Sequence, residues 1–175
     1  MAEYFAWLVL IGGSAALATA FFLKVRTARE NKFERAANVF YERIQPLIED
    51  DDAPEAALDL LYFLNGQITN KSAARRLFLA LLRRRGEPQA PAAYKMSTEL
   101  NAYYFENRKE LGKRFGEACA AAIFAVSYQS PLFGLLVRRL VIFDVSRHKD
   151  RAAELAASLH ARNIAEQHEH CPVAA

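Results

Sequence analysis

The sequence predicts an all-α protein: a single N-terminal transmembrane helix that continues into a stalk, followed by a cytoplasmic bundle of about five helices. Three observations support this fold class. A charge-free apolar run lies near the N-terminus, apolar residues recur at steps of three and four through most of the remaining chain, and no segment shows strand-type alternation bounded by hairpin turns.

The composition excludes several other classes. The chain has 175 residues, of which 53% are hydrophobic and 25% charged, so intrinsic disorder is excluded as the dominant state. Seven glycines and six prolines exclude collagen-like and low-complexity chains, and two cysteines exclude a disulfide scaffold. Alanine is abundant and arginine outnumbers lysine, which is typical of a bacterium with a GC-rich genome.

The first apolar run predicts a membrane anchor. Residues 4–23 form 20 positions without a charge, and 16 of them are hydrophobic. As a helix this run spans about 30 Å, the thickness of a bilayer core. Tyr4 and Trp7 lie at one end, where amphipathic rings favour the interface, and a basic flank of Lys24, Arg26 and Arg29 follows the other end. The positive-inside rule therefore predicts a bacterial inner-membrane protein with its N-terminus outside and its main domain in the cytoplasm.

Two alternatives to an anchor stay open. Ala18-Thr19-Ala20 matches the small-x-small pattern of a signal-peptide cleavage site. Against cleavage, residues 1–3 contain no lysine or arginine, and the apolar run continues to Leu23. The second alternative is a helix buried in a soluble protein.

Small residues repeat every four positions on two predicted helices. Gly12, Ala16 and Ala20 form one such set, and Gly112, Gly116 and Ala120 form the other. Small residues at this spacing permit close approach of two helices, so the first set predicts self-association or packing on a partner span. The alternative is that glycine and alanine are simply common in membrane spans.

The rest of the chain divides by its breaks and charges. An amphipathic helical pattern runs from Lys24 to Ile48, and Pro46 is expected to kink this helix or to end it at Gln45. Another begins at Pro54 and stops at Asn65-Gly66, and a long helix begins at about Met96. The predicted segments are an anchor over 1–23, a juxtamembrane stalk helix over 24–48, a charge-polarised helical hairpin over 49–85, a linker over 86–93, a helical bundle over 94–167 with an apolar hairpin at 118–137, and a mobile tail over 168–175.

The second apolar run, residues 118–137, also has 20 positions without a charge, 15 of them hydrophobic. Polar residues interrupt its middle, and a second span would place Arg138 and Arg139 outside, against the charge rule. The run is therefore predicted to be a buried helical hairpin that bends at Pro131. A hairpin that dips into or lies on the membrane, and a true second span, are the alternatives.

Charge is divided into two blocks on consecutive predicted helices, which are expected to lie near each other and partly neutralise. Residues 49–59 contain six acids and no base, and residues 71–85 contain six bases and no acid. The basic patch is predicted to contact lipid headgroups or an acidic protein, or else to complement a helix C-terminus. Its basic excess is too small to favour nucleic acid. The patch consists of Arg75, Arg76, Arg83, Arg84 and Arg85.

Catalytic motifs are not found in the sequence. It contains no phosphate-binding loop, dinucleotide fingerprint, zinc-protease helix or nucleophile elbow. Cys119 is interpreted as a small core residue, and His168, His170 and Cys171 lie in the tail without fixed geometry. No catalytic residue, metal ligand, cofactor or small-molecule substrate is predicted.

These patterns predict a membrane-anchored, non-catalytic helical adaptor, scaffold or accessory subunit. Its expected partners are the lipid bilayer and a protein partner, or a second copy of the chain, bound through helix faces. Two other functions stay open: a lipid-interacting module that acts at the cytoplasmic face of the membrane, and an enzyme on an unrecognised helical fold.

Overall fold

The computed structural model describes residues 2–84, 98–99, 101–145, 156–157 and 160. Every regular element in these residues is helical, which confirms the all-α fold class. The linker at 86–93 and the tail at 168–175 lie outside the described residues, as does Arg85. The elements are α1 (Ala2–Ile48), α2 (Glu55–Thr69), α3 (Ala73–Arg84), a π-helical segment (Asn101–Asn107), α4 (Lys109–Gln129) and α5 (Pro131–Val145).

Helix α1 has 47 residues, a length of about 70 Å, and its two halves differ in their surroundings. Every described side chain from Tyr4 to Ala28 is exposed. From Arg29 onward one face becomes buried, and Phe40 and Leu47 are inaccessible to solvent. The apolar face of the second half of α1, residues 29–48, therefore packs in the bundle. The first half, residues 2–28, projects from the bundle and is called the free half below.

Helix α1 continues through Pro46 to Ile48, so of the two effects predicted for this proline, a kink or an end at Gln45, the end does not occur. A proline in a helix lacks one backbone donor and crowds the preceding turn. Here it lies in the last turn, where few helical bonds remain to be lost. Leu47, which is fully buried, gains contacts that hold this turn in place.

Helix α4 packs along the second half of α1 and forms the centre of the bundle. Phe115, Ala118, Cys119 and Ala122 on α4 are all inaccessible to solvent. Because glycine and alanine supply much of this surface, the two helix backbones can lie close together.

Ion pairs show that α1 and α4 are antiparallel. Arg108, just before α4, pairs with Asp50, just after α1. Further along, Arg43 Nε lies 2.9 Å from Glu117 Oε2. Residue numbers therefore fall along α1 as they rise along α4. The C-terminal end of α4 lies at the end of the bundle from which the free half of α1 projects.

The helix stop predicted at Asn65-Gly66 is wrong, because α2 continues to Thr69. A glycine inside a helix costs about 1 kcal/mol relative to alanine. Ile68, two residues after this glycine, is almost fully buried. Burial of such a side chain contributes about 1.5–3 kcal/mol. Tyr41 Oη also donates to Asn65 Oδ1 at 3.0 Å and holds this part of α2 against α1.

The end of α2 is linked to the end of α4. The side-chain amide of Gln129 donates to the backbone carbonyls of Gln67 and Ile68 in the last turn of α2, where a helix leaves carbonyls without an intrahelical partner. Beyond Thr69, Asn70 Oδ1 accepts hydrogen bonds from the backbone N–H and the hydroxyl of Ser72. This short turn starts α3 beside the C-terminal end of α4.

The long helix predicted from Met96 is broken at Arg108, whose φ of −129° and ψ of 65° are not helical. The π-helical segment precedes this break. Its Tyr104 is fully buried, and the ring stacks on Phe115 with centroids 4.8 Å apart. In one uninterrupted helix these two rings would be separated by about 16 Å along the axis, so the break allows Tyr104 to fold back onto Phe115.

Helices α4 and α5 form a tight hairpin that contains the second apolar run. Residues 118–127 are buried or half-buried, and Ser130 joins the two helices. A Cβ atom on Gly134 would lie 1.6 Å from the carbonyl oxygen of Ser127. Only glycine allows this approach, and Arg138 Nη1 donates to the same carbonyl at 2.9 Å. The first half of the run is thus inside the protein.

Candidate functional site

The free half of α1 is an apolar surface without protein contacts among the described residues. By length and composition, one described helix could cross a membrane, and its apolar window is not buried. Tyr4 and Trp7 are exposed near its start, and Lys24, Arg26 and Arg29 follow the apolar run. Arg26 Nε lies 2.8 Å from Glu30 Oε1, an ion pair within one helix turn. The aromatic and basic residues therefore flank the apolar surface on one rod.

The two sets of small residues lie in different surroundings. Gly12, Ala16 and Ala20 are exposed, and a Cβ on Gly12 would meet nothing within 4 Å. This face of α1 is open to another helix. In contrast, Gly112 and Gly116 are buried and Ala120 is half-buried, so that these three residues belong to the interior of the bundle.

The bundle has two chemically distinct ends. We call the end from which the free half of α1 projects the proximal end; it includes Arg29, the turn from Thr69 to Ala73 and the junction at Ser130. We call the other end the distal end; it includes the turn from Glu49 to Pro54 and the break at Arg108. The antiparallel packing of α1 and α4, together with the Gln129 link to α2, separates these ends.

Four side chains form a polar cluster at the distal end. Arg108 Nη1 donates to both carboxylate oxygens of Asp50, at 2.7 and 2.8 Å, and Arg108 Nη2 donates to Asp52 Oδ2 at 2.8 Å. Tyr103 Oη donates to Asp50 Oδ2 at 3.0 Å, and the guanidinium lies over the Tyr103 ring, 5.1 Å from its centroid. The cluster ties the turn after α1 to the start of α4.

The electrostatics of this cluster follow from its hydrogen bonds. Removal of Asp50 from water would raise its pKa, but the hydrogen bonds from Arg108 and Tyr103 and the nearby guanidinium charge outweigh this and hold the pKa below its ordinary value. The pKa of Tyr103 is raised by desolvation and by its bond to Asp50. The groups therefore satisfy one another, as expected of a structural clamp.

The two charge blocks lie at opposite ends. Acidic residues from Glu49 to Glu55 surround the distal turn, whereas Lys71, Arg75 and Arg76 are exposed at the proximal end. The predicted mutual neutralisation is not seen among the described residues, because Asp50 and Asp52 pair with Arg108. Arg76 donates to Gln67 Oε1. Helix α3 ends at Arg84, and the side chains of Arg83 and Arg84 lie outside the description.

An apolar and basic surface extends over α3 and α5. Phe78 and Phe133 are half-buried and pack with ring centroids 5.7 Å apart, so the two helices lie side by side near the proximal end. Each of these two helices carries exposed leucines and arginines on one side. The most exposed of the leucines are Leu132 and Leu135 on α5, at 75% and 51%. We call this the proximal surface, and it comprises Arg75, Arg76, Leu79, Leu82, Leu132, Leu135, Leu136 and Arg139.

Cys119 and Tyr104 are titratable residues of the described core. Burial raises the pKa of Cys119 to about 12. Burial likewise raises the pKa of Tyr104 to about 12, and its hydroxyl has no hydrogen-bond partner among the described residues. Both groups are protonated and enclosed at neutral pH, which makes them unsuited to act as nucleophile or base.

The ring of His160 packs against that of Phe63 with centroids 4.9 Å apart. Burial lowers the pKa of His160. Within the described part of the chain, no group of three or more histidine, cysteine or acidic side chains could hold a metal ion. The charged groups described above instead form the distal polar cluster around Arg108 and the basic part of the proximal surface.

Sequence reasoning missed Tyr103 and Arg108. The acidic turn is visible in the sequence, but no spacing rule connects Asp50 to a base at position 108. Comparisons with known protein families, curated proteins and solved structures give no match.

Proposed function

We propose that the chain is a membrane-anchored, non-catalytic helical adaptor or accessory subunit. The first half of α1 spans the inner membrane of a bacterium, with the N-terminus outside. The bundle lies on the cytoplasmic side and presents its surface to a protein partner.

The observation that carries this proposal is the contrast within one uninterrupted helix. The second half of α1 buries its apolar face in the bundle, whereas the large apolar side chains of the first half remain exposed. Exposure of each such side chain to water costs about 1.5–3 kcal/mol relative to burial. A bilayer core removes this cost. The side chains concerned are Tyr4, Trp7, Val9, Leu10, Ile11, Leu17, Phe21, Phe22 and Leu23.

The charges that flank the anchor support its orientation. Lys24, Arg26 and Arg29 adjoin the bundle side of the apolar run, and Glu3 is the charged side chain on the other side. Basic residues close to a span are retained in the cytoplasm. This supports the proposal that the bundle lies inside the cell.

A rigid connection supports the adaptor role. No glycine or proline lies between Ser14 and Gln45, and α1 is helical throughout this stretch. The anchor and the bundle therefore share one rod, which holds the bundle at a fixed height above the membrane. On α2, Leu58 and Tyr62 are exposed one turn apart, and Tyr62 is 82% exposed. Exposed tyrosines are enriched at protein interfaces.

The topology is tested with two reporters fused after Val173 of the full chain. A fluorescent protein that folds in the cytoplasm should fluoresce, and alkaline phosphatase at the same position should be inactive. Active phosphatase would contradict the proposed orientation. Intact mass of the membrane-bound protein tests the anchor itself, because a mature chain that begins at Phe21 would show that the run is a cleaved signal peptide.

The adaptor role is tested by purification of the full chain from solubilised membranes. We expect a stable protein partner to co-purify with the wild type and with a Lys113→Ser control, and to be lost from Tyr62→Ser. Both substitutions replace exposed side chains, so neither should unfold the bundle. A chain that purifies without a partner and shows turnover of a substrate would overturn the proposal in favour of an enzyme.

A second candidate function is a lipid-interacting module. The proximal surface favours it, because that surface places exposed leucines beside arginines at the end of the bundle nearest the anchor.

A further inference from the structure

The proximal surface has a composition suited to a membrane interface. On α3 the exposed positions are Arg75, Arg76, Leu79 and Leu82, and on α5 the exposed leucines are followed by Arg139. Leu82 lies one turn from Phe78, and Leu136 lies one turn from Phe133. The contact between these two rings therefore brings the leucine stripes alongside each other. Helices with leucine and arginine on one exposed side bind at the boundary between headgroups and acyl chains.

The length of α1 places the proximal end of the bundle next to the headgroup layer. Arg29, the first half-buried residue of α1, lies six positions beyond Leu23, the last residue of the apolar run. Six helical residues rise about 9 Å. The headgroup layer adds about 5–7 Å to each side of the bilayer core. With no glycine or proline between the two positions to act as a hinge, the proximal end begins where the headgroups end.

The distribution of charge favours the same orientation. The acidic turn from Glu49 to Glu55 lies at the distal end, far from the anchor, and the exposed bases Lys71, Arg75 and Arg76 lie at the proximal end. A negatively charged leaflet attracts the basic end and repels the acidic end. Both forces hold the bundle with its proximal surface toward the membrane.

We propose that the proximal surface docks on anionic phospholipid headgroups of the membrane in which α1 is anchored. The leucines of α3 and α5 enter the interface, and Arg75, Arg76 and Arg139 contact the phosphates. This inference rests on the proposed anchor and adds a second contact with the same bilayer. It leaves α2 and the distal end facing the cytoplasm, where a protein partner has access.

The docking is tested with the full chain in vesicles of phosphatidylcholine and phosphatidylglycerol in equal parts. A fluorophore is attached to Leu132→Cys or, as the matched control, to Asp51→Cys at the distal end. Both variants carry Cys171→Ser, and the remaining Cys119 is buried. Lipids with a quencher on the headgroup should quench the label at position 132 several-fold more strongly than the label at position 51.

The role of charge is tested in the same assay. Pure phosphatidylcholine vesicles, or reversal of charge by Arg75→Glu together with Arg76→Glu, should reduce the quenching at position 132. Lys113→Glu on the exposed side of α4 is the control and should leave it unchanged. Equal quenching in both kinds of vesicle would overturn the role of anionic lipid.

Membrane integration is measured on the same samples by sedimentation after alkaline extraction. If the chain remains integrated and the labels at 132 and 51 are equally unquenched, the docking is wrong and the anchor stands. If the chain is extracted, the anchor itself fails. Quenching absent in vesicles, with the label at 132 shielded only after an acidic protein is added, would assign the surface to a protein and overturn docking on lipid.

Discussion

The two charge-free runs of this protein are equal in length and nearly equal in hydrophobic content, but the first run is exposed and the first half of the second run is enclosed. Each has 20 residues, with 16 hydrophobic residues in 4–23 and 15 in 118–137. Every described side chain of the first run is exposed. In the second run, residues 118–127 are buried or half-buried, and most of them lie in the core between α4 and its neighbours.

The difference shows that length and apolarity do not decide where a run is buried. Residues 118–127 of the second run are covered because α1 and α2 pack against α4, and the distal clamp and the Arg43–Glu117 pair hold α4 alongside α1. The first run lies beyond the last of these contacts on the same helix. An apolar segment therefore remains available to lipid when the chain supplies no opposing surface.

The largest effect is expected when a charge is placed in each run. Ala122→Arg buries an unpaired charge in the core, which should destabilise the bundle by about 3–5 kcal/mol or more. The anchor is untouched, so the chain should stay in the membrane. Alkylation of Cys119 in a Cys171→Ser background is the measurement, because the buried thiol becomes reactive when the bundle opens.

The matched change is Leu10→Arg with Leu17→Arg in the first run. Each arginine costs about 2.5–3.5 kcal/mol near the centre of a span, so the chain should be released by alkaline extraction. Its Cys119 should remain protected. If Ala122→Arg released the chain and this double variant exposed Cys119, the assignment of the two runs would be reversed.

The next largest effect concerns glycine. Gly134→Ala places a Cβ 1.6 Å from the Ser127 carbonyl oxygen, so the α4–α5 hairpin must open. We expect a loss of about 3 kcal/mol or more, at the upper end of overpacking effects. Gly13→Ala is the control, because a Cβ there meets nothing within 4 Å. Thermal unfolding of both full-length variants in detergent would distinguish them, and equal midpoints would contradict the close approach.

A smaller effect is expected from the clamp that keeps α4 on α1. In the folded chain the pKa of Asp50 is held below its ordinary value of 3.8, so the clamp stabilises the bundle above that pH. This contribution is lost as the pH falls through the lower, folded value. Arg108→Gln should lower the unfolding midpoint at neutral pH and weaken its dependence on acid. The control is Arg114→Gln, an exposed arginine on α4; an identical response of both variants would argue against the clamp.

The smallest effect concerns Tyr104. Its buried hydroxyl has no partner in the part of the chain that the structure describes, so Tyr104→Phe should leave stability at neutral pH unchanged or raise it by about 1 kcal/mol. Its pKa is raised from 10.0 to about 12 by burial. The wild type therefore loses stability as the pH rises through this range, and the variant should lose less.

Cys119, with its pKa also raised to about 12, keeps part of this alkaline dependence in the Tyr104 variant. Midpoints of unfolding measured between neutral and alkaline pH give the comparison. A marked loss of stability at neutral pH would show that the hydroxyl has a partner.

The sequence was sufficient to predict most helices and insufficient for two of their boundaries. Apolar spacing and charge-free length predict α1, α4 and α5. The stop predicted at Asn65-Gly66 failed because the burial of Ile68 outweighs a local signal of about 1 kcal/mol. The break at Arg108 carries no glycine or proline, and it accompanies two tertiary contacts: Arg108 pairs with Asp50 and Asp52, and Tyr104 folds back onto Phe115.

The candidate sites divide in the same way. The exposed residues that flank the anchor, Tyr4, Trp7 and Lys24, follow from local pattern alone. Arg75 and Arg76 were identified as basic residues, but their position beside the leucines of α5 depends on the contact between Phe78 and Phe133. Asp50 and Arg108 are separated by 58 residues, and a pairing over that distance is set by helix packing.

The sequence by itself determined an all-α chain with two apolar runs and two blocks of charge, because helix periodicity and apolar length are local properties. Only the tertiary structure decided that residues 118–127 are enclosed while 4–23 are not, and at which end of the bundle each charge block lies. Both results follow from the antiparallel packing of α4 on α1. It covers residues 118–127 and leaves 4–23 uncovered. It also turns the chain so that the bases lie beside the anchor and the acids lie away from it.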